Sequence, residues 1–219
     1  LPTKTTTRNG QKAVTAAVAK TAEIQISRIA SETLRVPIIG TSELIQHQWG
    51  VKARQQMLDN MQGRKTPKQP KNPEAEYEAA MYRLPDNGYG HPASAFKLAT
   101  VEASRLYGKD VTKVGLLQFI FFFGENRGEL VRINGEPRMR EDTVRVGRGG
   151  ADLRYRPGFP EWSAVLEVRY VSSVLTRDSV LSLIDAAGLT VGVGEWRPEK
   201  KGSFGTFMID QDKPVEVVP

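Results

Sequence analysis

Three basic side chains and a set of glycines near the C-terminus have the types and spacing of an anion site. Residues 188–210 read GLTVGVGEWRPEKKGSFGTFMID, with Arg197, Lys200, Lys201 and Gly202 in the loop. Glycine lets backbone approach a ligand closely, and clustered backbone N–H groups beside Lys and Arg bind anions. Two readings fit this spacing: a phosphate-contacting loop or a solvated hairpin tip. A second candidate stretch is GYGHPASAFK, which gathers His91, Ser94 and Lys97 at a helix start, where amide groups favour a phosphate. Ordinary capping by Pro92 and Ser94 would explain the same residues. A third is VRVGRGGADLRYR, which carries Arg145, Arg148, Arg154 and Arg156 with one acid, and Tyr155 as a stacking ring. A charged surface ribbon would look the same. A fourth is the basic insert at 50–73, with Lys52 and Arg54 among its cations and Asp59 as its acid.

Catalysis has little to draw on. A general acid or base needs a His or a carboxylate near the reacting group. His47 and His91 are the only histidines, and neither they nor Asp59 form a recognisable constellation. The absence of cysteine excludes disulfides and thiolate metal sites, so no cofactor is expected. No apolar run reaches the ~20 residues of a membrane span, and residues 1–20 lack the apolar core of a secretory signal. A cytoplasmic protein is the expectation. The net charge of +6, with a pI of about 9.5, favours a polyanionic partner.

The elements that must position these residues follow from periodicity. Residues 1–22 read as a flexible basic arm, with Lys4, Arg8, Lys12 and Lys20. EIQISRI (23–29) and TLRVPII (33–39) alternate as strands, and Pro37 predicts an edge or a bulge for the second. PEAEYEAAMY (73–82) is a short helix. A longer one runs over 92–107, with Phe96, Ala99, Ala103 and Leu106 on one face and Gly108 as its stop. GLLQFIFFF (115–123) is apolar on both faces and predicts a central, fully covered strand, with Phe121 and Phe123 in the core. A β-ribbon is expected over 125–156. SAVLEVRYV (163–171) alternates as a strand. A helix over 176–187 is capped by Thr176, with Leu175 and Val180 as a hydrophobic staple and Gly188 at its C′ position. Residues 189–193 then predict a strand entering the glycine loop, and 207–209 a strand leaving it.

GYGHPASAFKLATVEASR resembles the helix start of the RAMP superfamily, and VGVGEWRPEKKGSFGTFMI is similar to that superfamily's C-terminal glycine-rich loop. The strand ending at Gly40-Thr41-Ser42 fits as well. The resemblance spans about residues 30–210 and looks most like RAMP-like proteins of phages and prophages. It departs at Glu195, where glycine or a base is the family's habit. It implies an α+β chain: an RRM- or ferredoxin-like antiparallel sheet with two helices on one face, plus an inserted basic loop and an extended β-ribbon. A domain over 23–210 and a tail over 211–219 follow. It further implies a non-catalytic protein that multimerises along single-stranded nucleic acid, RNA rather than DNA, with copies of itself as partners. On that view the glycine loop, the ribbon arginines and the helix start with Lys97 and His91 face one groove, and the basic insert contributes less. A self-assembling structural protein of a phage particle and a RAMP-type endoribonuclease are the alternatives.

Overall fold

A computed structural model describes residues 28–64, 70–108, 111–146 and 150–218. The N-terminal arm and most of the first expected strand therefore lie outside the described residues. The elements are β1 (Glu32–Gly40), β2 (Leu44–Ile45), α1 (Val51–Met61), α2 (Pro73–Ala79), β3 (Tyr89–Pro92), α3 (Ala93–Ala103) and α4 (Lys113–Phe119). They continue with β4 (Ile120–Phe123), β5 (Leu130–Asn134), β6 (Arg138–Val146), β7 (Gly150–Phe159), β8 (Ser163–Tyr170), α5 (Arg177–Thr190), β9 (Phe207–Ile209) and β10 (Glu216–Val218).

The main sheet is antiparallel throughout. β1 pairs with β8 on one side and with β9 and β10 on the other. β8 pairs on its far side with β4 and then β5, and β3 pairs with β5. With β4 and β5 counted as one interrupted strand, the spatial order is fourth, first, third, second. α3 lies between the first and second strands in the chain, and α5 between the third and fourth. That is the β-α-β-β-α-β arrangement of the ferredoxin-like fold, so the chain is α+β as expected.

Alternation decides the faces. Leu34, Val36 and Ile38 of β1 and Ala164, Leu166, Val168 and Tyr170 of β8 point to one side and are buried. Phe96 and Ala99 of α3 and Val180, Leu183, Ile184 and Ala187 of α5 complete that core, and the two helices pack on each other. Burying each large apolar side chain contributes about 1.5–3 kcal/mol. Thr176 Oγ1 accepts from the Ser179 amide at 3.1 Å, the expected cap of α5.

Four expectations need correction. Pro37 is on a central strand: β10 pairs with residues 33–35 of β1 and β9 with residues 38–40, so the missing donor falls where the partner changes. Residues 113–119 form α4, because Thr112 Oγ1 caps it by accepting from the Gly115 amide at 3.1 Å. The strand is only β4, and its alternation places Phe121 and Phe123 away from the core, half-buried on the sheet's other face. Finally, α5 runs on to Thr190, so residues 189–193 make no strand and Gly188 is not a helix stop. Gly188 lies where α5 crosses β9, and a Cβ there would stand 2.0 Å from the Phe207 carbonyl oxygen.

The ribbon is shorter than 125–156 suggests, because β5 belongs to the main sheet. β6 and β7 form it, and β2 holds its base through Leu44↔Phe159 and Ile45↔Gly158. In the basic insert, α1 accounts for residues 51–61.

Candidate nucleic-acid interface

Residues 191–206 close on themselves. The Val193 amide donates to Gly205 O at 2.9 Å, Phe204 N to Trp196 O at 3.1 Å and Gly202 N to Arg197 O at 3.1 Å. A Cβ on Gly202 or Gly205 would lie 1.7 Å from the Trp196 or Val193 carbonyl oxygen. These glycines therefore serve the loop's own closure. The loop is also stitched to the segment after β1 by Glu195 N to Ile45 O and Gly205 N to Glu43 O.

At its tip, Arg197 Nε and Nη2 donate to Glu199 Oε2 at 3.0 and 2.7 Å, and Nη1 donates to Gly194 O at 3.0 Å. Lys200 Nζ is 3.7 Å from the other oxygen of Glu199. Lys201, at φ 65°, is exposed and has no ion pair among the described residues.

A cavity of about 600 Å³ separates this loop from the start of α3. His91, Ser94, Ala95, Gly192, Gly194 and Arg197 are among its walls. Pro92 is the N-cap of α3 and offers no side-chain cap, and Ser94 does not supply one. The Ala93 amide donates to Glu129 O at 2.8 Å. The amides of Ser94 and Ala95, in the first turn, have no intrahelical acceptor. His91 is 4 % exposed, set edge-on to Tyr82 and Phe96, and its Nδ1 has no hydrogen-bond partner. Burial, reinforced by the Arg197 charge, lowers its pKa to about 3, so it is neutral near pH 7. His47 lines the same cavity and is held low by burial and by Arg154. Glu102, Glu195 and Glu199 also border it.

The structure thus brings His91 to Arg197 and divides the other expected residues among separate places. Lys97 points elsewhere: its Nζ donates to Leu117 O at 2.9 Å and lies 5.0 Å from the Phe121 ring. Register separates the ribbon arginines. Arg140↔Arg156 and Asp142↔Arg154 share one face, whereas Arg145↔Ala151 lies on the other, with Tyr155. Arg156 is buried and bonded to Asp142, so it holds the ribbon to the domain. Arg154 stands 3.9 Å from Asp152 and is partly exposed. Arg54 donates to Trp49 O at 3.0 Å. Arg148 and the side chain of Lys52 lie outside the described residues. Among the described residues, these side chains do not line one groove.

Sequence reasoning missed Arg169 and Arg127, which lie against Phe121 and Phe123. The alternation of SAVLEVRY was the available signal for Arg169. Among the described residues no cluster of three or more His, Cys, Asp or Glu forms a metal site, and no helix is long and apolar enough to cross a membrane.

No protein-family model matches this chain, and no curated protein matches it. Among solved structures, it is similar to Cmr6 from Pyrococcus furiosus, at 10 % identity and a TM-score of 0.41, over 84 % of this chain and 100 % of that one. Similarity at that level transfers no residue's role.

Proposed function

We propose that this chain binds single-stranded nucleic acid, RNA rather than DNA, without cleaving it, and that copies assemble along the strand. What carries the reading is the cavity between the loop and α3. It joins an uncapped helix N-terminus, the Arg197 guanidinium and a buried, unpartnered His91 nitrogen. The helix N-terminus and Arg197 favour an anion with acceptor oxygens, neutral His91 donates to one in the tautomer that carries the hydrogen on Nδ1, and the overall basic charge favours a polyanion. Lys200 and Lys201 stand at the loop tip beside it. Glu199 is the internal counter-ion of Arg197, and a phosphate takes its place. His91 serves as a neutral hydrogen-bonding group, because a histidine held that far below its usual pKa carries no proton to deliver at pH 7.

The test is absorbance at 260 and 280 nm of the purified protein at low and high salt, followed by RNase or DNase treatment. Nucleic acid that co-purifies at low salt and is removed by RNase is the expected result. An assembly free of nucleic acid under both conditions would replace this reading with a self-assembling structural protein.

A further inference from the structure

One face of α3 carries three different chemistries in turn. Ser94, Leu98 and Glu102 are spaced i, i+4, i+8, so they follow one another along that face, and all three border the cavity. Ser94 stands at the anion end, with the unpartnered His91 nitrogen and Arg197. One turn on, Leu98 is 58 % exposed, and Leu117 of α4, 42 % exposed, borders the same space. Two turns on, Glu102 and Lys113 form an ion pair that also lines the cavity. At 1.5 Å per residue, Glu102 is about 12 Å along the helix axis from Ser94.

The distant pair is fixed in place. Glu102 Oε2 accepts from Lys113 Nζ, and Oε1 pairs with Arg105. The hydrogen bond from Lys113 holds the Glu102 carboxyl below its ordinary pKa, so near pH 7 it only accepts. Each of its oxygens keeps a second lone pair, and the Lys113 ammonium keeps further N–H donors. Lys97 Nζ donates to Leu117 O at 2.9 Å and ties α4 to α3.

A lone phosphate accounts for only one end of this space. About 600 Å³ falls in the range of small-molecule sites, about 300–1,000 Å³. Two leucines left in water and a fixed donor–acceptor pair suit a ligand with a flat apolar body and a polar far edge. We infer that the cavity takes one whole nucleotide of the strand, with guanine as the preferred base. Its phosphate meets Arg197 and His91, its base lies over Leu98 and Leu117, and the edge of the base meets Glu102 and Lys113. The inference rests on the phosphate reading of this cavity and adds the base to it. Single-stranded bases are read by hydrogen bonds to their Watson–Crick edges. Of the four common bases, guanine alone sets two adjacent N–H donors beside an acceptor oxygen. The donors match the two oxygens of Glu102, and the acceptor matches Lys113. Uracil has one N–H between two carbonyl oxygens, so it turns an oxygen toward the carboxylate. Adenine and cytosine offer an amino group beside a bare ring nitrogen, with the same conflict.

The test titrates the full chain with three single-stranded RNAs of one length. One is all uridine, one carries a central guanosine, and one a central inosine, which lacks the exocyclic amino group. Wild type is compared with Glu102→Gln, Leu98→Asn and Arg197→Ala. Glu102 and Leu98 both reach solvent, and thermal melting verifies that each variant is folded. Wild type is expected to bind the guanosine strand about tenfold tighter than the all-uridine strand, with inosine between them. Glu102→Gln and Leu98→Asn bring that ratio toward one. Arg197→Ala weakens all three strands and keeps the ratio. Wild type that binds the three strands alike, or a Glu102→Gln variant that keeps the full ratio, would overturn the nucleotide pocket. If Arg197→Ala still weakened every strand, the phosphate reading would stand without it. Binding of none of the strands would overturn both.

Discussion

Arg156 directs Nε and Nη2 to a single oxygen of Asp142, at 3.1 and 2.8 Å, and both side chains are almost wholly buried. The guanidinium also lies 4.7 Å from the centre of the Trp196 ring, and its Nη1 is 3.4 Å from Glu195. One arginine therefore joins the ribbon to the glycine loop. Arg140 and Glu43 extend the same network, with Arg140 also 5.1 Å from the Phe204 ring. Removing one partner of such a pair strands a buried charge. Asp142→Asn is expected to lower stability by about 3–5 kcal/mol in urea denaturation. A loss below 1 kcal/mol would mean that Glu195 alone suffices as counter-ion.

His91 ties stability to pH. Its folded pKa, about 3, lies below the ordinary 6.5, so the unfolded chain binds more protons between those values. Stability contributed by neutral His91 is present above pH 6.5 and is lost as pH falls toward 3, amounting to about 2 kcal/mol at pH 5. His91→Gln is expected to flatten the stability profile between pH 6.5 and 5. An unchanged slope would show that His91 finds a proton acceptor when charged.

Replacing Arg197, Lys200 and Lys201 with Ala is expected to weaken single-strand binding uniformly across sequences. The plot of log affinity against log salt flattens by up to about 2, which is three phosphate contacts at ~0.7 each. Arg64→Ala with Lys65→Ala and Lys68→Ala is expected to do less. Wild-type affinity and slope in the loop variant would remove this loop from the interface.

Gly188→Ala pushes a methyl group against the Phe207 carbonyl at the crossing of α5 and β9. Both elements are core, so the strain cannot relax cheaply, and a loss of about 1–3 kcal/mol is expected. Calorimetry reads this as a lower Tm. No change in Tm would mean that α5 shifts freely over β9.

If copies assemble through the basic arm, deleting residues 1–21 is expected to reduce the mass seen by light scattering. A monomer of unchanged mass before and after the deletion would reject the arm as an assembly element.

What the sequence determined by itself was local. The alternation of TLRVPII and SAVLEVRYV specifies strands with one buried face, and Thr176 with its staple specifies where α5 begins. These patterns repeat within a few residues, and they were enough for an α+β chain with two helices on one side of an antiparallel sheet. Tertiary structure decided whatever depends on which surface a residue meets. GLLQFIFFF satisfies helix and strand alike, and only the Thr112 cap and the partner strand β8 split it into α4 and β4. Gly188 reads as a stop until β9 crosses it. Arg145 and Arg156 are equally basic in sequence, yet pleat and register send one to solvent and bury the other against Asp142. The cavity that joins His91 to Arg197 unites residues 106 positions apart, and no local pattern encodes such a meeting.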